Sequence, residues 1–436
     1  MFYYAKDTVL DIKILQKMVS KFVLEVEPQL TKYKDYYNGI QEILNKSYTD
    51  ATKPCSKTVV NYCRNIADSY CGYLASPGYI SYSSNEDIEE IINILKYNDY
   101  QTEDASFLLD ALVYGVAAEL MYTDELGQVR FRLINPAQCF GVYDNSLTGD
   151  LLYFVRFYKA SEWDDSNLYN VDVYSDYDIK HYTMEGKNGA LSYVGEEPHY
   201  FSQCPANIFY MPDEKAIFDC IMGLQDSANE VLNAEVDELN YFADAYLVFS
   251  GLDVDSDDLK SMKELRAFVL PEGASASWLT KAANDAQVEN ILKRIQDSIY
   301  RIAACPDFSS ESFVGGVSSG IAIQYRLTGM ETRAAKIAAE MKKALQRRVE
   351  IITGIASLKI GEEVFRDINI SFKRNIPNDI NSTIGIVNGL QGIVSNKTLL
   401  SQIEFINDVE AELEAVQAQK EDNMALFNFS SSGQDE

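Results

Sequence analysis

The residues best suited to chemistry in this 436-residue chain are few, and their spacing does not assemble a catalyst. The only histidines, His181 and His199, fall in a strand-like stretch, and neither stands beside a plausible nucleophile. The carboxylate doublets Asp164-Asp165, Asp257-Asp258 and Glu362-Glu363 occupy polar, turn-like places where solvent screens them. The seven cysteines, at 55, 63, 71, 139, 204, 220 and 305, form no CxxC pair and have no neighbouring histidine, so neither a zinc cluster nor a disulfide framework is expected. Cys63 and Cys71 fall on one helical stripe with Ile66 and Leu74, which is core spacing. No G-x-x-x-x-G-K-[ST] loop or dinucleotide-binding glycine fingerprint occurs. No enzyme, cofactor or metal site is expected.

The most informative pattern lies between 286 and 356. A short amphipathic helix carries Val288, Ile291, Leu292, Ile295, Ile299 and Ile302 on one stripe and stops at Cys305-Pro306. An aperiodic loop follows: Asp307, Phe308, Ser309, Ser310, Glu311, Ser312, Phe313, Val314, Gly315, Gly316, Val317 and Ser318. Ser318 or Ser319 can cap the next element, whose apolar marks run Ile323, Leu327, Met330, Ala334, Ile337, Met341, Leu345 and Ile352. About 35 helical residues make a rod of about 50 Å, far longer than an average globular helix. Glycine and serine predict mobility in the loop; a plain surface connection between two core helices is the alternative.

The rest of the chain supplies the setting. Residues 7–125 show helical stripes such as Ile12, Leu15, Val19 and Phe22, with turns at Pro28, Asn38-Gly39 and Pro77-Gly78. Alternating or β-branched runs at 129–134, 140–143, 151–158, 171–174, 179–184 and 208–211 predict an antiparallel β unit. A second long helix is expected over 213–245, with short strands at 246–249, 267–270 and 277–279. The helices 213–245 and 286–304 thus bracket a small α/β insertion at the tip of a stalk. Strands at 357–360 and 368–372, a helical hairpin at 380–394 and 397–419, and a polar tail complete the α+β, mainly helical chain.

Composition narrows the function. The formal net charge of -28 argues against gripping nucleic acid through phosphates, without excluding a protein past which DNA slides. No run of about 18 apolar residues and no leader pattern occurs, so neither a membrane partner nor a cleaved export signal is expected. Acids crowd 219–258, with eleven Asp or Glu and no Lys or Arg; bases crowd 333–348, with Arg333, Lys336, Lys342, Lys343, Arg347 and Arg348 against Glu340. These faces either pair between subunits or are each solvated. The 29 tyrosines suit half-buried contacts in an interface or a core alike.

The order of several segments carries a resemblance. These are Tyr36-Tyr37-Asn38-Gly39 with Ile43, Thr58-Val59-Val60-Asn61 running on to Tyr73-Leu74-Ala75-Ser76-Pro77, and Asn135-Pro136-Ala137-Gln138 running on to Val142-Tyr143-Asp144. Pro205 through Phe209, Ala245-Tyr246-Leu247-Val248-Phe249-Ser250-Gly251 and above all Ser318-Ser319-Gly320-Ile321-Ala322-Ile323 continue it. Over nearly its whole length the chain resembles tailed-bacteriophage portal proteins of the Gp6-like, Bacillus siphophage type. No one motif is specific; their order is.

The resemblance implies a ring, usually of twelve subunits, at one capsid vertex, through which double-stranded DNA is packaged and ejected. By position it implies a wing at 1–212 (helical 1–128, β 129–212), stem helices at 213–245 and 286–304, and a clip at 246–285. It further implies a DNA-facing tunnel loop at 305–318, a long wing helix at 319–356, wing strands at 357–376, a crown at 377–420 and a disordered tail at 421–436. The clip, about 40 residues, and the crown are small for the family. Implied partners are the terminase large subunit, the major capsid and scaffolding proteins, and a head-completion or neck adaptor. The expected location is the virion's portal vertex after assembly in the host bacterial cytoplasm. Asp226, Glu230, Asp237, Glu238 and Asp244 are the candidates for an acidic channel wall, and the 333–348 bases for contacts between subunits. The rival reading is another ring-forming head-tail connector or minor head protein.

Overall fold

The computed structural model describes the chain except residues 1, 7, 51–52, 77, 162, 164–166, 243–245, 252–272, 280–284, 310–319, 356–363, 375–379, 401–402, 404–405, 407–408, 410–411, 414 and 421–436. The expected strands at 267–270 and 357–360, most of the insertion, most of the glycine-serine loop and the tail lie outside the described residues.

Strand β1 (Phe2–Tyr4) precedes helix α1 (Ile12–Lys21), which Asp11 caps by accepting from the Lys13 amide. One π turn (Phe22–Val26) leads into α2 (Glu27–Asn38). Pro28 explains the wide turn, because it has no N–H to close a regular bond back onto its predecessor turn. Then come α3 (Tyr62–Leu74), β2 (Ile80–Ser83), α4 (Glu89–Tyr97) and α5 (Tyr100–Tyr114). Helix α5 ends at Gly115, whose φ of 81° is left-handed and whose absent Cβ would lie 2.7 Å from the Lys215 backbone.

The helical reading of 7–125 fails after Gly115. Residues Val116–Thr123 are strand β3, the middle of a three-stranded sheet between β10 (Ala206–Tyr210) and β4 (Val129–Ile134). Most of β3 is buried with no in-out alternation, so its Ala-Ala-Glu-Leu-Met run gave no strand signal. The β unit divides further. A second sheet orders β1, β5 (Cys139–Asp144), β6 (Leu151–Lys159), β7 (Leu168–Tyr174), β8 (Asp178–Glu185) and β9 (Ser192–Pro198), antiparallel except for the β1–β5 pair.

The second long helix begins later than expected, as α6 (Met222–Phe242) behind a 3-10 turn at Asp219–Ile221. Residues 211–218 instead turn across the end of α5, where Ile217 donates to the Leu112 carbonyl and Phe218 is buried. Strands β11 (Tyr246–Ser250) and β12 (Ser275–Leu279) pair antiparallel, and α7 (Asp285–Ile302) returns beside α6. Helix α8 spans Gly320–Thr353, 34 residues. Its Leu327, Met330, Ala334, Ile337, Met341, Leu345 and Ile352 are buried, the stripe that the periodicity marked. It packs against α3, α4, β10 and β13 (Asn369–Phe372), and β13 pairs with β2. Helices α9 (Ile380–Leu390) and α10 (Asn396–Leu400) follow.

Candidate stem, tip and channel elements

Helix α6 is bound to the first 62 residues by a polar ladder that sequence reasoning missed. Gln225, Asn229, Asn233 and Asp237, one every fourth residue, are all buried. They accept from successive alternate amides of an extended strap: Tyr62 N–H to Gln225 at 2.9 Å, Val60 to Asn229 at 3.1 Å, Thr58 to Asn233 at 2.7 Å and Ser56 to Asp237 at 2.6 Å. Gln225 and Asn233 also donate to the Val60 and Thr58 carbonyls. The registers match because four helical residues advance about 6 Å and two extended ones about 6.6 Å. An amide or acid every fourth residue was the available signal, but on a helix it reads as a solvated face.

Three acids of the run, Asp219, Asp226 and Asp237, therefore face their own chain. Burial alone would raise the Asp237 carboxyl, but Lys46, 2.7 Å away, and the Ser56 bonds overcome it and hold the group at about 2. Asp226 accepts from the Tyr36 hydroxyl at 2.9 Å, and Asp219 from Tyr33 at 2.7 Å and Lys215 at 3.0 Å. Of the wall candidates, half-buried Asp226 and buried Asp237 are thus both engaged within the subunit. Glu230 and Glu238 are exposed, and Asp244 lies outside the described residues.

Two arginines of the basic run are likewise engaged within the subunit. Arg348 is fully buried, with Nε and Nη2 each 2.8 Å from Glu119 carboxylate oxygens, Nη1 on Asp104, and the Phe131 ring 4.4 Å from its guanidinium. Asn207 also donates to Glu119 at 2.6 Å, and Tyr82 to Asp104 at 3.0 Å. Burial raises the Asp104 carboxyl, and Arg348 offsets only part of that. Arg333 donates to the Ala303 and Ile217 carbonyls at 3.3 and 3.2 Å. Arg348 serves its own subunit because a buried guanidinium must find its acceptors nearby, and half-buried Arg333 is likewise bonded within the chain. Lys342 donates to Asn369 at 3.1 Å, Lys343 to Glu340 at 2.8 Å, and Arg347 to Gln203 and Glu350. Lys336 is exposed and makes no hydrogen bond or ion pair among the described residues.

The glycine-serine loop leaves α7 from a fixed base. The Tyr70 hydroxyl donates to the Ala303 and Ala304 carbonyls at 3.0 and 3.1 Å, and Cys305 is buried. Asp307 accepts from the Ser309 amide and hydroxyl, at 3.0 and 2.6 Å, and from Gln296 at 3.0 Å. Phe308 is 42% exposed. Ser310, Glu311, Ser312, Phe313, Val314, Gly315, Gly316, Val317 and Ser318 lie outside the described residues.

The histidines sit on the large sheet and its margin. His181 Nδ1 is 2.7 Å from Asp172, and His199 Nε2 is 2.9 Å from the Ser175 carbonyl. Burial pushes the Cys71, Cys204 and Cys305 thiols up to about 12, away from reactivity. Among the described residues no group of His, Cys, Asp or Glu has metal-binding geometry, and no helix is long and apolar enough to cross a membrane.

The chain is thus an α+β body in which the adjacent helices α6 and α7 bracket the β11–β12 ladder and a 34-residue helix follows. Residues 25–425 match the family described as phage portal protein, SPP1 Gp6-like, and the chain belongs to that family. The portal protein of Bacillus phage SPP1 is 21% identical over an alignment covering 92% of this chain and 85% of that one.

Proposed function

We propose that copies of this chain close into a ring, of twelve subunits, at one vertex of a phage capsid, and that double-stranded DNA is packaged and ejected through its bore. Helices α6 and α7 are the stem, the β11–β12 ladder belongs to the clip, residues 305–318 form the tunnel loop, α8 braces the wing behind it, and α9 and α10 begin the crown. The clip docks the terminase motor during packaging and a neck adaptor afterwards, while capsid and scaffolding proteins surround the wing. Assembly takes place in the host bacterial cytoplasm, and the product stays in the virion.

The observation that carries this reading is the helix pair bearing a β tip, set in a chain of the portal family. Apolar side chains left open on and beside that pair support it, since Ile291, Ile302 and Leu239 are 39%, 49% and 60% exposed and suit burial against further copies. Negative-stain class averages of the purified protein test it. Flared rings with a central hole are expected, and a molecule that stays monomeric under every condition overturns it.

A further inference from the structure

Two uncovered surfaces of the chain differ in charge. The first is the α2–α6 groove, two adjoining cavities, about 560 Å³ beside α2 and about 480 Å³ beside α6, that share Glu42 and Asn45 of the 3-10 turn Glu42–Asn45. Glu42 and Glu230 are exposed on its rim, with half-buried Asp226 beside them. Burial raises the Asp226 carboxyl, the Tyr36 hydroxyl opposes this, and the charges of Glu42 and Glu230 add to the rise, so like charges crowd this rim. Nearby bases are committed, Lys46 to Asp237 and Lys187 to Glu27. Lys32 lies over the Tyr36 ring. Ile40, 56% exposed, gives the groove an apolar margin.

The second surface is the outer face of α8, where Thr332, Ala335, Lys336, Ala339 and Lys343 are exposed at three-and-four spacing. Small side chains between the lysines let another backbone approach closely. Among the described residues Lys343 meets only Glu340, an exposed pair that contributes little. A basic face and an acidic groove on the same chain match head to tail, the heterologous contact that generates rings when its rotation closes.

We propose that the α8 face of one copy seats on the α2–α6 groove of the next, with Lys336 and Lys343 meeting Glu42 and Glu230. The inference rests on the ring reading above and assigns Glu230 to the subunit contact instead of the bore. K336E/K343E and E42K/E230K are each expected to raise the protein concentration needed for ring formation by about tenfold or more. Combining all four substitutions in one chain restores rings. Light scattering and electron microscopy of the full chain read this out, and unchanged thermal melting of each variant confirms folding. A second measurement uses E230C/K336C, which should give a reducible ladder of linked subunits that neither single variant gives. Wild-type rings together with unaltered assembly of both double reversals, no rescue, or no ladder overturn the proposal while leaving the ring intact. Absence of wild-type rings overturns both.

Discussion

Arg348 shows why a charge on a helix is hard to place from sequence. It looked like one member of a solvated basic run, yet it is fully buried against Glu119 and Asp104. Replacing it with methionine keeps much of the volume but strands both carboxylates away from water, so Arg348→Met should destabilise the fold by about 3–5 kcal/mol, measured as a shift in urea midpoint at fixed slope. A change below about 1 kcal/mol would mean the cluster rearranges freely. Asp110 gives the opposite sign. Burial pushes its carboxyl up to about 6 from 3.8 despite Lys34, so folding favours its protonated form. That contribution is fully present below pH 3.8 and is lost as pH rises through 6. Asp110→Asn should therefore gain up to about 3 kcal/mol over the natural chain at pH 8 and little at pH 4, in paired denaturation curves. A gain independent of pH would show that charge is not the cause.

Among the elements, those with one apolar face were the legible ones. The α8 stripe and the strand at 129–134 follow from periodicity because one side is covered and the other is more open, while the strand at 151–159, with both Phe154 and Val155 buried, was legible from its aromatic and β-branched residues. Strand β3 was lost because both its faces are covered, and the α6 ladder because its buried face is polar. The ladder fastens the base of the proposed stem to a strap that continues into α3, so it is where stem and wing hold each other. Asn233 accepts from the Thr58 amide and donates to the Thr58 and Asn229 carbonyls. Asn233→Leu should cost about 1–2 kcal/mol, since it removes the side-chain partner of both the Thr58 amide and the Thr58 carbonyl. Exchange of the amides at 56–62 should then accelerate by about tenfold in hydrogen-exchange mass spectrometry, and unaltered protection would remove the ladder from the account. Asp237, lowered to about 2 from 3.8, adds stability that is present above pH 3.8 and fades as pH falls through 2.

In the whole molecule, charge is the property on which passage of DNA turns. A net charge of -28 per copy repels duplex phosphates, and closing the proposed ring would multiply it around the bore. The structure changes which acids can do this, because Asp219, Asp226 and Asp237 are committed inside the subunit and Glu230 is assigned to the contact between copies. The remaining acids of the run are Glu235, Glu238, Asp244, Asp253, Asp255, Asp257 and Asp258, of which the last five, outside the described residues, fall in or beside the proposed clip. If repulsion there keeps the duplex sliding, reversing a few tip charges should turn a passive bore into one that holds DNA. Rings carrying E238K, D257K and D258K should retain duplex DNA at about 50 mM salt and release most of it by about 200 mM, because each phosphate neutralised steepens the salt dependence. Unaltered rings should retain none at either concentration. A filter-binding titration across salt reads both, and natural rings that hold DNA as firmly as the variant would show that something other than tip charge sets the passage.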